Sequence, residues 1–306
     1  MAFYSPDPAM DQTLADLVRA LELDGRPGLA QKLSITWVRF TTSQLGVAAD
    51  LEPGRYWQIP AAGASWGGAR QRYPASVVKL VYLVAAEAWL QEGLLADGPE
   101  LRRALAAMIQ HSSNDATSLV VDLLSGTTSG PELAQAAWSL WQSQRQLVNQ
   151  WLSRLAWPEL EGVNACQKTW EDGPYGRERL FYGEQMENRN RLSTEATARL
   201  LLAVIASALI SPPAGARMRA VLERSLDAAD RAADPDNQVD GFLGEGLPAG
   251  TRLWSKAGWM SRARHDAAYV ESEGQQPFLL VVFSEGEDCA TDAALLPEIA
   301  RRLSLA

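Results

Sequence analysis

Pro74-Ala75-Ser76-Val77-Val78-Lys79-Leu80-Val81-Tyr82-Leu83-Val84 opens the most apolar stretch of the chain and decides how the rest is read. From Ala75 to Leu95 apolar residues fall on every side of the predicted helix, so this helix is expected inside the molecule rather than on its surface. Lys79 is then anomalous, because an amine in such surroundings is costly unless it is partnered. The chain has only four lysines and draws most of its basic charge from arginine, so the place of each lysine is informative. Ser76 stands one helical turn before Lys79 on the same face. It also opens the helix, where the positive end of the dipole favours negative charge developing on a hydroxyl.

Working outward, helices are expected over Asp11–Leu23, Leu101–Gln110, Ala116–Leu124 (capped by Asn114 or Asp115), Glu132–Leu155, Thr194–Ile210 and Met218–Asp230. Ser34–Thr41 and Gly54–Ile59 read as an N-terminal hairpin, with Gly63–Gly68 a loop. Arg252–Ser255, His265–Glu271 and Phe278–Phe283 read as three further strands, closed by a helix over Thr291–Leu303, and residues 161–190 are the least regular. Strands at both chain ends with helices between them predict an α+β fold, a two-layer α/β arrangement. Its antiparallel sheet is built from both termini, residues 1–60 and 250–306, and an all-helical part over 61–249 carries Ser76.

Two more short strings follow Ser76-Val77-Val78-Lys79 in order: Ser112-Ser113-Asn114, then Lys256-Ala257-Gly258. S-x-x-K by itself arises often by chance, and S-x-N is common in caps and turns; the three in this order carry the argument. A serine hydroxyl is a weak nucleophile until a base removes its proton, and a desolvated lysine beside a second cation is pushed toward its neutral form. Lys79 is the expected base and Lys256 the second cation. Ser112 would relay a proton to a leaving nitrogen, and Asn114 would hold a substrate carbonyl. Gly258 admits close approach of a ligand, and the amide of Trp259 would pair with that of Ser76 around an oxyanion.

Composition narrows the partners. A net charge of −9 offers no basic block to neutralise phosphates, which argues against nucleic acid. No segment has the length of apolar residues that a membrane span needs. Two histidines and two cysteines, Cys166 and Cys289, form no cluster at ligand spacing, so no metal site and no cofactor is expected and the thiols are expected to be free. Residues 1–28 lack a signal peptide's pattern; a complete chain belongs in the cytoplasm, and one trimmed from an exported precursor in the periplasm.

With these motifs in place the chain resembles the class A branch of the serine β-lactamases and penicillin-binding proteins. Tyr73–Lys79 resembles that family's nucleophile segment, Ser112–Ala116 its S-D-N-T-A segment, and Lys256–Val270 its K-T-G strand and the strand after it. The resemblance implies acylation of Ser76 by a small amide, ester or β-lactam, and a substrate carboxylate met by Arg264. It departs at three points. The family's E-x-x-L-N loop is absent, leaving Glu171 as the preferred deacylating carboxylate and Glu184 as the other candidate; Ala257 replaces the hydroxyl residue of K-T-G; and the stretch from Asn114 to Lys256 is longer than in the family. A penicillin-binding peptidase or esterase with slow deacylation, or a non-catalytic binder on the same fold, are the alternatives. A rival nucleophile, Ser65 in Gly63-Ala64-Ser65-Trp66-Gly67 with His265 as base, lacks room for the strand-turn-helix that such an elbow requires.

Overall fold

The computed structural model describes residues 2–52, 54–58 and 61–306. Among them runs a seven-stranded sheet in the order β1-β3-β2-β7-β6-β5-β4. The strands are β1 (Ser5–Pro6), β2 (Leu33–Arg39), β3 (Ala62–Trp66), β4 (Glu223–Arg224), β5 (Arg252–Met260), β6 (Ala263–Glu271) and β7 (Phe278–Glu285). All pairings are antiparallel except the short parallel contact of β1 with β3. Strand β7, Phe-Leu-Leu-Val-Val-Phe-Ser-Glu, lacks the apolar–polar alternation of a half-exposed strand because both its faces are covered. Leu280 and Val282 pack with helices Pro8–Leu23 and Leu295–Ser304, whereas Leu279, Val281 and Phe283 pack with helices Val78–Gln91 and Thr194–Ala206. The sheet is thus drawn from both chain ends as expected.

Helix Val78–Gln91 is buried on all sides, entered through a 3-10 turn at Ala75–Val77. Its one acidic residue, Glu87, is neutralised by Arg102 and Arg217. Four local expectations are corrected. Ala62–Trp66, overlapping the expected Gly63–Gly68 loop, is a strand, because β1 and β2 pair with its two edges; with β4 it places strand inside the stretch assigned wholly to helices. Arg55–Gln58 is a 3-10 turn rather than a strand, and Ile59, at the end of that expected strand, lies outside the described residues. The long helix expected over Glu132–Leu155 breaks at Gln146 into Gln135–Arg145 and Leu147–Arg154, with Arg145 drawn into a buried ion cluster at the break. The helix expected over Met218–Asp230 ends at Leu222, after which Glu223–Arg224 joins the edge of β5 and Asp227 caps a new helix, Ala228–Ala233.

Candidate active site

The peptide entering Ser76 is held from the sheet. Glu285, at the end of β7, accepts from the Tyr73 N–H (3.3 Å) and pairs with Arg72. His265 Nε2 lies 2.9 Å from the Tyr73 carbonyl, and the Ser284 N–H donates to His265 Nδ1 (3.0 Å). Since Nδ1 is an acceptor, Nε2 carries the hydrogen and the ring is neutral. Burial pushes its pKa down to about 4. These ties support a positive φ of 46° at Ala75, a conformation that costs a residue with a Cβ on the order of 1 kcal/mol or more. Gly258 sits opposite His265 in the β5–β6 register, and a Cβ there would come within 2.9 Å of the Ser76 nitrogen. Only glycine lets the strand lie so close.

Lys79 and Lys256 converge on one hydroxyl. Lys79 Nζ donates to Ser112 Oγ (3.1 Å), to Asn114 Oδ1 (2.9 Å) and to the Ser112 carbonyl. Lys256 Nζ donates to the same Ser112 Oγ (3.1 Å), to the Ala257 carbonyl (2.6 Å) and to Gln238 Oε1 (2.5 Å). With both lone pairs of Ser112 Oγ engaged, its own hydrogen remains to be donated. Ser112 reaches this place through a positive φ of 54°. Ser113, not Asn114 or Asp115, caps the helix Asn114–Ser125 by accepting from Ala116 N–H (3.1 Å), and this leaves the Asn114 amide to the cluster. Asn114 Nδ2 donates to Glu171 Oε1 (2.9 Å).

Electrostatics follow from burial. Desolvation lowers the Lys79 pKa to about 7, against the opposing pull of Glu171. Desolvation also holds Lys256 well below its ordinary value, reinforced by Lys79 and then Arg224 and opposed by Asp266. Among the described residues, the hydrogen-bond acceptors of the two amines are uncharged oxygens.

The remaining expected residues divide. Ala257 packs its side chain into the core on the sheet face away from Lys256 and offers a ligand only its backbone. Trp259 is 60% exposed, with its indole donating to the Ala290 carbonyl. Arg264 lies between the Trp259 and Phe242 rings and spends Nε and Nη1 on the carbonyls of Ala290 and Gly241. Glu184 lines a surface hollow of about 740 Å³ with Arg179, Tyr182 and Met186, while Glu171 is bonded into the cluster. Ser65 lies within β3 and donates to Glu195 (2.9 Å), so the rival elbow fails on geometry, and its supposed base His265 is committed to Tyr73. Cys166 and Cys289 are buried free thiols. Gln238, His265, Glu285 and Arg224 were not foreseen in these roles; no local string sets them apart from ordinary polar residues.

The sheet from both chain ends, covered on each face by helices and with the Ser76 helix buried against it, is the fold of the serine β-lactamase and transpeptidase group. The chain belongs to the Beta-lactamase enzyme family, which matches residues 95–305. That match begins after Lys79, so the Ser76–Lys79 segment rests on its own geometry. PBP-A is similar in structure, at 17% identity and a TM-score of 0.61, over 99% of this chain and 97% of that one. A β-lactamase from Sphaerobacter thermophilus DSM 20745 is similar at 18% identity and a TM-score of 0.61, over 95% of each chain. A mutant of PBP-A, as an acyl-enzyme complex with penicillin G, matches at 17% identity and a TM-score of 0.62, over 98% of this chain and 97% of that one. No curated protein matches the chain by sequence.

Proposed function

We propose that the protein is a serine hydrolase acylated on Ser76 by a β-lactam or a related amide or ester. The observation that carries this reading is the convergence of Lys79 and Lys256 on Ser112 Oγ, beside the strand whose Gly258 touches the Ser76 backbone. On losing its own proton Lys79 gives up one of its three donated bonds, and the freed lone pair takes the Ser76 proton as Oγ attacks the carbonyl carbon. The electron pair moves to the carbonyl oxygen, which the Ser76 and Trp259 amides are suited to stabilise. On collapse the carbon–nitrogen bond breaks, Ser112 donates its proton to the leaving nitrogen, and Lys79 returns the first proton to Ser112. An acyl ester on Ser76 remains. For its hydrolysis Glu171 is the candidate base, withdrawing a proton from water so that hydroxide adds to the ester and Ser76 leaves with a proton.

The PBP-A mutant was captured as an acyl-enzyme with penicillin G, which makes a fluorescent penicillin the first probe. Label is expected on Ser76 at one per chain and lost in Ser76→Ala; label that survives this substitution overturns the assignment. Glu171 is exposed and lies in the irregular segment, which favours a second reading, a penicillin-binding protein or esterase with slow deacylation. Nitrocefin turnover decides between them. Catalytic turnover that Glu171→Gln reduces to a single stoichiometric burst supports the hydrolase, and a burst alone in the wild type supports the slow enzyme.

A further inference from the structure

We infer that Gln238 is a positioning residue of the amine cluster, whose uncharged carboxamide ties Lys256 to the Ser112 turn without placing a countercharge against it. Gln238 Oε1 accepts from Lys256 Nζ and from the Ala257 N–H (3.2 Å). Its Nε2 donates to the carbonyls of Ile109 (2.8 Å) and Gln110 (2.9 Å). These carbonyls end the helix Pro99–Gln110, immediately before the turn that presents Ser112. All four hydrogen-bonding positions of the amide are thereby used. Its orientation is also forced, because Lys256 and Ala257 can only donate and the two carbonyls can only accept.

A carboxylate at this position would satisfy the two donors and be repelled by the two carbonyls, so glutamine alone suits both sides. Arg224 shares the task by donating to the same carbonyls, Ile109 (2.8 Å) and Gln110 (3.1 Å). The charged groups that face Lys256 are Lys79 from the buried helix, Arg224 from β4 and Asp266 from β6. Asp266, which draws the Lys256 value upward, is bonded to the backbone amides of Leu243 and Ala267 and not to the amine, and Asp234 acts on Arg224. With no carboxylate in contact, Lys256 in its charged form is placed to act on Lys79 across Ser112 and on an anionic group of a substrate. That last role rests on the Ser76 reading; the tie itself does not.

The scarcity of lysine makes a direct test available. Protein labelled with ¹³C at lysine Cε gives four signals, assigned by single Lys→Arg substitutions, and each is titrated against pH. In Gln238→Glu the Lys256 midpoint is expected to rise by about one to three pH units, the usual effect of an opposite charge at contact distance. In Gln238→Met, which removes the acceptor without adding charge, it is expected to fall. Unchanged Lys256 midpoints in both variants overturn the inference; should Gln238→Glu not fold, the fall or constancy in Gln238→Met decides alone. Labelling by fluorescent penicillin is scored separately, so lysine shifts of the expected sign in a protein that penicillin leaves unlabelled defeat the Ser76 reading and leave the role of Gln238 standing.

Discussion

Two buried clusters of charge in this protein are built on opposite plans. In the first, Arg145 pairs with Glu178 and approaches Asp122 (3.6 Å), Lys168 binds Asp122 (2.7 Å), and Ser129 donates to Glu178 (2.8 Å). Two cations meet two carboxylates. In the second, Lys79 and Lys256 meet only hydroxyl, carbonyl and carboxamide oxygens, with Glu171 one residue removed behind Asn114. Neutralised charges fix the helix break at Gln146 and the segment leading to Glu171; amines with no carboxylate in contact keep a lowered proton affinity that chemistry can use. Burial alone does not separate the two clusters, whereas the charge of the groups in contact with the cations does.

The largest expected effect falls on the second cluster. Lys79→Met should lower the rate of Ser76 acylation by on the order of 10²–10⁴, the usual worth of a general base, as read by stopped-flow labelling. The same variant should unfold at an equal or higher denaturant concentration, since a buried amine without a carboxylate partner is removed and a methionine fills its place. An equal loss of stability and rate would erase the distinction between the clusters.

Glu178→Ala should do the converse. It leaves the buried Arg145 with only Asp122 at 3.6 Å, while Lys168 keeps Asp122, and should cost about 3–5 kcal/mol of unfolding free energy, measured by urea titration. Below its melting temperature the acylation rate of this variant should stay close to that of the wild type.

A pH titration sharpens the contrast. Acylation should rise tenfold per pH unit on the acid side of about 7 and level off above it, as Lys79 loses its proton. Stability carries the same signature. With the folded pKa near 7 and an unfolded value near that of free lysine, the unfolded chain binds the extra proton between these limits. The wild type should therefore gain stability relative to Lys79→Met as pH is raised through that window, and lose it again on acidification toward 7. The smallest effect is expected from Ser65→Ala, which should label within about twofold of the wild type, because its hydroxyl bonds to Glu195 and Tyr4 and not to the amine cluster.

The residues proposed for the site stood out in the sequence because each sits at a place marked by local chemistry: a lysine inside an apolar helix, a serine at its mouth, a glycine after a strand lysine. The buried helix and the sheet from both chain ends were legible from composition and order for the same reason. Strand β3 was not. Gly63-Ala64-Ser65-Trp66 has the residues of a loop, and it becomes a strand only because β1 and β2 supply hydrogen bonds on its two sides. Nor was Gln238, whose role exists only once Ile109, Gln110, Lys256 and Ala257 have been brought to it from two distant segments. His265 shows the limit most plainly. Read from sequence, it was a rival base; in the fold its ring is a strut under Tyr73.

The hydrogen bond from Lys256 to Ser112 spans 144 residues. On the Ser76 reading, a polypeptide arrested or cut before residue 252 would own the nucleophile, its neighbouring amine and the relay serine, yet have no working centre. A covalent probe would then count finished molecules rather than polypeptide, and band intensity along a refolding time course would date the arrival of β5.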